Sequence, residues 1–188
     1  MLALMKPDRS QLLIVDVQER LLPAMQDQED VVSACAFLAK AAGLCSVPTL
    51  ITEQYPAGLG HTLQAVLDVC TKPQVVEKTA FSVAQDSKAL DKLRKRRTDQ
   101  RRDQIIICGV EAHVCVLQSA LDLKGLGFDV FAVADAVSSR HLGSRDVALS
   151  RMAHAGIVPV TTEMVAFEWL GDAKAKAFKP ISALVRER

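Results

Sequence analysis

The chain has 188 residues, nearly half of them apolar, and carries a formal net charge of +1. That length suits one α/β domain with a full core spanning residues 1–188, and so small a charge argues against a general affinity for nucleic acid or anionic membranes. Five cysteines, an odd number with no Cys-x-x-Cys pair, exclude a disulfide framework and a thiolate metal cage.

The opening segment is too short for a secretory signal and has Asp8 close behind it, so no removable leader is expected. No apolar stretch reaches the ~18 residues of a membrane span. With the cysteine usage, this points to a reducing intracellular compartment, cytoplasmic or mitochondrial. The first strand is expected near 11–16, where Leu12-Leu13-Ile14-Val15 runs into a lone acid, Asp16. Continuous Val/Ile/Leu marks a strand buried on both faces of a parallel sheet, which places Asp16 near the carboxyl end, where α/β folds bind their ligands. As an isolated residue Asp16 could equally cap the segment that follows.

A helix follows near 29–45, then a strand near 48–53 that leads into Thr52-Glu53-Gln54-Tyr55-Pro56 and Gly58-Leu59-Gly60, then a helix near 61–70. The third strand, near 74–77, ends at Lys78 ahead of Phe81 and Ser82. A lysine after a strand is ordinarily a solvated charge. A helix near 86–97 overlaps a run of seven basic residues among the eleven from Lys92 to Arg102. That run reads as a solvated helix end complementing the macrodipole, or as a patch for phosphate backbones. The low aromatic content offers few stacking platforms, so a nucleic-acid partner is the lesser reading.

The fourth strand, near 104–109, gives way to Gly109-Val110-Glu111-Ala112-His113-Val114-Cys115 and a helix near 113–126. Cys115 at a helix N-terminus meets unpaired N–H groups that favour a thiolate and can hold an oxyanion; a buried cysteine is the plainer alternative. Strands near 129–134 and 157–161, with a helix near 143–155 between them, complete the alternation. Right-handed crossovers give a doubly wound, mainly parallel six-stranded sheet of order 3-2-1-4-5-6 with helices on both faces. An acid, a cation and a thiol then converge at three strand ends on one edge of that sheet.

These motifs resemble those of the isochorismatase-like cysteine hydrolase superfamily. Leu-Ile-Val-Asp16-Val-Gln18, Glu-Lys78-Thr-Ala-Phe81-Ser82 and Cys-Gly109-Val110-Glu111-Ala112-His-Val-Cys115 occur in its order. The segments 52–60 and 134–140 are similar to its isochorismatase-domain-containing subgroup, in which some trypanosomatid members carry a mitochondrial-associated ribonuclease label. The resemblance implies a triad of Cys115 as nucleophile, Asp16 as proton acceptor and Lys78 as organising cation. It also implies a cis peptide at Val110-Glu111 that turns the N–H groups of Glu111 and Cys115 toward a substrate oxygen, and a habit of forming homo-oligomers. The chemistry suits hydrolysis of a small amide through a thioester, with no cofactor. Gln18, Tyr55, Phe81 and Ala112 are the candidate pocket residues, Ala112 standing where many relatives have threonine.

Metal-binding relatives use an aspartate with a closely spaced histidine pair, which this chain lacks; the region after strand 2 offers only Glu53, Tyr55 and His61. His113, two residues before Cys115, points away from it on a helix and is read as a rim residue. Phe167, Trp169 and Leu170 are read as an exposed apolar helix face suited to self-association. The readings therefore order as a small-molecule cysteine hydrolase first and a ribonuclease or RNA-binding protein using residues 92–102 second.

Overall fold

The computed structural model describes residues 4–187; the reading of the first residues as free of a leader falls partly on residues 1–3, outside that range. Six strands, β1 (Ser10–Val15), β2 (Thr49–Gln54), β3 (Gln74–Lys78), β4 (Gln104–Val110), β5 (Asp129–Ser138) and β6 (Val158–Val160), form one parallel sheet ordered β3-β2-β1-β4-β5-β6. The expected topology holds, and the alternation of side chains explains it. Leu12 and Ile14 of β1 face one core with Ile106 and Cys108 of β4, while Leu13 and Val15 face the other with Ile105 and Ile107. Each strand is therefore apolar at consecutive positions because helices cover both faces.

One face is covered by α1 (Gln28–Leu44), with α2 (Pro56–Leu59) and α3 (Gln64–Leu67) as single turns beyond β2. The other face receives α4 (Ser87–Gln100), α5 (Leu117–Gly125) and α6 (Leu142–His154). Two further helices, α7 (Thr162–Leu170), which holds the expected helical trio, and α8 (Phe178–Arg186), which was not anticipated, pack on the α1 side. Trp169 and Leu170 belong to that core rather than to an exposed face, the indole N–H of Trp169 donating to Ser10 Oγ at 3.0 Å; only Phe167 of that trio is exposed.

The helix expected over 61–70 shrinks to the turn of α3. Glu53 takes the Thr62 N–H and hydroxyl at 2.7 and 2.8 Å, while Glu19 N–H donates to His61 O and Leu63 N–H to Val17 O. Residues 61–63 are thereby tied antiparallel to the segment after β1, and a helix cannot start until Gln64. Strand β5 is longer than expected for a different reason. Between the pairs Ile107–Ala132 and Gly109–Val137, β4 advances two residues and β5 five, a bulge that prolongs β5 to Ser138.

The basic run is largely built into the fold. Arg96 is buried and its Nη2 donates to Gln74 Oε1 at 3.1 Å; Arg102 Nη1 donates to Pro7 O and Ser10 O at 2.6 and 2.8 Å; Arg97 lies over the Phe128 ring. These guanidiniums fasten α4 and its exit to the amino ends of the strands.

Gly109, paired with Val15 of β1, has φ +110°, and a Cβ there would drive into the Val15 carbonyl oxygen. Neither the conformation nor the space admits a side chain. Gly109→Ala is expected to cost about 3 kcal/mol or more, which for a chain of this size lowers Tm by roughly 6 °C or more in a thermal CD scan. A fall of under ~2 °C would show that β1 and β4 do not approach this closely.

Candidate active site

Three strand ends and one turn build the site. Asp16 follows β1 directly, in the left-handed region at φ 54°, its N–H donating to Thr52 O at 3.1 Å. Lys78 is the last residue of β3, which the sheet order puts two strands away from β1. Two inter-strand steps are about 10 Å, so the extended lysine arm reaches Asp16 with the aspartate side chain and the hydrogen bond between them closing the rest of the span. It does so over β2, with Nζ donating to Asp16 Oδ2 at 2.8 Å, and neither side chain retains any exposure.

β2 supplies the polar groups beneath that crossing. Thr52 and Gln54 point to one side of the strand, Glu53 to the other. Thr52 Oγ1 donates to Asp16 Oδ1 at 2.7 Å, and Gln54 Oε1 accepts a second Lys78 N–H at 2.7 Å. Gln54 is itself held: its Nε2 donates to Thr79 O, its backbone N–H to Gln18 Oε1, and Gln18 Nε2 donates to Gln54 O and Gly60 O. Gln18, expected in the pocket, is fully buried and acts as a side-chain clamp on the end of β2. Glu53 is occupied by Thr62 and by His61, 3.0 Å away; despite its burial, these bonds hold its carboxyl below the ordinary value and raise the His61 imidazole.

β4 ends at Val110, the Val110–Glu111 peptide is cis as expected, and a π-helical turn, Ala112–Val116, carries Cys115. The Glu111 carbonyl takes the N–H groups of Val114 and Val116, on either side of Cys115. Cys115 is only 5% exposed, and its thiol lies within reach of the Asp16 and Lys78 charges. Acid, cation and thiol are thus brought together. Burial foremost, then the Asp16 charge, pushes the Cys115 thiol up to about 12, with Lys78 opposing. The expectation of a resting thiolate does not hold: a helix end is worth up to ~2 kcal/mol, less than full desolvation can impose.

Around this centre, Glu111 forms a two-bond pair with Arg140, both contacts at 3.2 Å. His113 Nδ1 lies 2.9 Å from Ser139 Oγ, which fits a rim residue and no Cys-His dyad. Tyr55 and Phe81 are 58% and 52% exposed past the ends of β2 and β3, whereas Ala112 is fully buried in the α5 core. The sequence reading missed the roles of Thr52 and Gln54; the signal was a polar run, Thr52-Glu53-Gln54, closing a strand that is buried throughout. Among the described residues no group of three or more His, Cys, Asp or Glu could hold a metal ion, and no helix is long and apolar enough to cross a membrane.

The sequence profile described as the isochorismatase domain matches residues 10–164. Isochorismatase family protein 1A of Dictyostelium discoideum is 38% identical over 187 residues, covering 98% of this chain and 89% of its own. Among solved structures, the MAR1 ribonuclease of Caenorhabditis elegans is 34% identical with a TM-score of 0.90, covering 98% of this chain and 93% of that one. The ycaC gene product of Escherichia coli, described as an octameric hydrolase of unknown specificity, has a TM-score of 0.88 at 24% identity, covering 98% and 90%, a likeness of fold.

A thiol raised to about 12 remains protonated through neutrality. Alkylation of Cys115 by iodoacetamide, followed by peptide mass spectrometry, is therefore expected to run slower at pH 7 than alkylation of an unperturbed cysteine, whose pKa is about 8.5. It should still be climbing at pH 10. Saturation below pH 8 would show a standing thiolate instead.

Proposed function

The chain belongs to the isochorismatase domain family, and from that premise we propose that it is a small-molecule cysteine hydrolase, cleaving an amide through Cys115 with Asp16 and Lys78. The observation that carries this reading is the fully buried Lys78–Asp16 pair, whose two charges both act on the Cys115 thiol. A buried ion pair is weak evidence for stability, since desolvation offsets much of its attraction. Beside a thiol, it makes chemical sense as a proton acceptor kept ionised by its cation.

In this mechanism the carbonyl carbon of the substrate settles against Cys115 Sγ, with its oxygen toward the N–H groups of Glu111 and Cys115. As the C–S bond forms, the thiol proton passes to the Asp16 carboxylate and the carbonyl π pair moves onto oxygen. Collapse of the tetrahedral species breaks the C–N bond, and Asp16 returns the proton to the departing amine. Asp16 then takes a proton from water, whose oxygen attacks the thioester. The acid departs and the thiolate recovers the proton from Asp16. Lys78 remains an ammonium throughout, offsetting negative charge on Asp16 or sulfur. Tyr55 and Phe81, exposed beside the strand ends, are the pocket walls in this reading, which takes the whole chain as one hydrolase domain assembled as a homo-oligomer.

The test is ammonia or amine release across a panel of small primary and secondary amides, with intact-mass detection of an acyl adduct. Cys115→Ala, Asp16→Asn and Lys78→Ala are each expected to lower kcat/KM on any amide turned over by about 10³-fold or more, and only the first to abolish the adduct outright. Turnover that survives Cys115→Ala would overturn the reading.

The ribonuclease name of the C. elegans relative favours a second reading, in which the basic segment holds RNA. The commitment of Arg96, Arg97 and Arg102 to the fold leaves Arg94, Lys95 and Arg101 as its exposed cations, with Lys92 half-buried. Replacing those three with glutamine is expected to leave any RNA retention at 0.15 M salt, about physiological, unchanged in a filter-binding assay. A marked loss, with a shallower salt dependence, would support the RNA reading.

A further inference from the structure

The two oxygens of Asp16 are not equivalent. Oδ2 faces the Lys78 ammonium at 2.8 Å, a group with donors only; Oδ1 faces the Thr52 hydroxyl at 2.7 Å, a group that can donate or accept. A proton placed on Oδ2 would lie against an ammonium N–H. One placed on Oδ1 meets a hydroxyl able to tolerate it. Both Thr52 and Asp16 are fully buried, so water does not erase the distinction. We propose that Thr52 is a positioning residue that, by donating to Oδ1 of Asp16, makes that oxygen the one that receives the Cys115 proton. The inference rests on the cysteine hydrolase reading above and adds a residue to it.

The surrounding charges are all of known sign. Lys78 approaches from β3, Cys115 from the π-helical turn, and Glu111 with Arg140 from the end of β4 and beyond β5. Glu53, next to Thr52 in sequence, turns to the opposite side and is taken up by Thr62 and His61. The Thr52 hydroxyl is thus the neutral donor to the Asp16 carboxylate, beside the charged one. A hydrogen bond donated to a carboxylate favours its ionised form. Its loss makes Asp16 a stronger base, and the tautomer with the proton on Asp16 and the charge on sulfur becomes more populated by the same factor.

The readout is the rate of Cys115 alkylation by iodoacetamide against pH, by peptide mass spectrometry, in the wild type, Thr52→Val, Thr52→Ser and Asp16→Asn. Thr52→Val keeps the shape and removes the donor. It is expected to move the acidic limb of the profile up by about one pH unit and to raise the rate near neutrality roughly tenfold. Thr52→Ser should restore both to within about twofold of wild type, which a purely structural role for the threonine methyl would not allow. If Thr52→Val does not fold by CD, Thr52→Ala is the alternative and should shift in the same direction. Profiles for the donor-deleted variants that overlay the wild type, while Asp16→Asn alters it, would overturn the role of Thr52 alone. A profile unchanged by Asp16→Asn would instead sink the catalytic reading on which it rests.

Discussion

One ion pair inside the sheet edge, Lys78 to Asp16, constrains most of what surrounds it. Two unit charges with no exposed surface are costly to desolvate, and they persist only where each is further hydrogen-bonded. The sheet order supplies those bonds. Because β2 lies between β3 and β1, the lysine must cross it, and Thr52 and Gln54 stand where the crossing needs a donor and an acceptor. The requirement propagates outward: Gln54 is fixed by Gln18, Gln18 reaches Gly60, and the segment after β2 is bent back against the segment after β1. A helix that sequence periodicity favours over 61–70 yields to that demand.

The thiol shows which of two opposed effects prevails. The start of a helix, with a lysine near by, pulls a cysteine toward thiolate; burial and an adjacent carboxylate push it back, and here the second pair wins. The consequence is mechanistic. A thiol in this state is no standing nucleophile; in the proposed mechanism one forms only as the proton passes to Asp16 when the substrate arrives. A protonated thiol is also less prone to adventitious oxidation, which follows thiolate character.

The fold was legible because β1 and β4 carry unbroken apolar runs, Leu12 to Val15 and Ile105 to Cys108, a pattern that demands cover on both faces and hence a doubly wound parallel sheet. Asp16, Lys78 and Cys115 were legible as chemical exceptions at strand ends, and as motif residues in a familiar order. What sequence alone could not reveal were contacts between segments distant in the chain. Gln18 looked like a pocket residue because its motif lies at the site, yet both ends of its amide are spent on β2 and Gly60. Arg96 looked solvated because six other cations stand within the same eleven residues, yet it lies in a polar slot beneath α4 with Gln74 and Thr49. Trp169 and Leu170 looked like an adhesive face because no strand follows them to suggest what they cover; α1 and β1 are what they cover.

The proposed mechanism starts from a proton on sulfur and a charge on Asp16 in the resting protein. Difference infrared spectroscopy at neutral pH, wild type against Cys115→Ser and against Asp16→Asn, reads both groups at once. The expected spectrum has an S–H stretching band that disappears with Cys115 and an ionised carboxylate band that disappears with Asp16. A spectrum lacking the S–H band and showing instead the C=O stretch of a protonated carboxylic acid at Asp16 would contradict it.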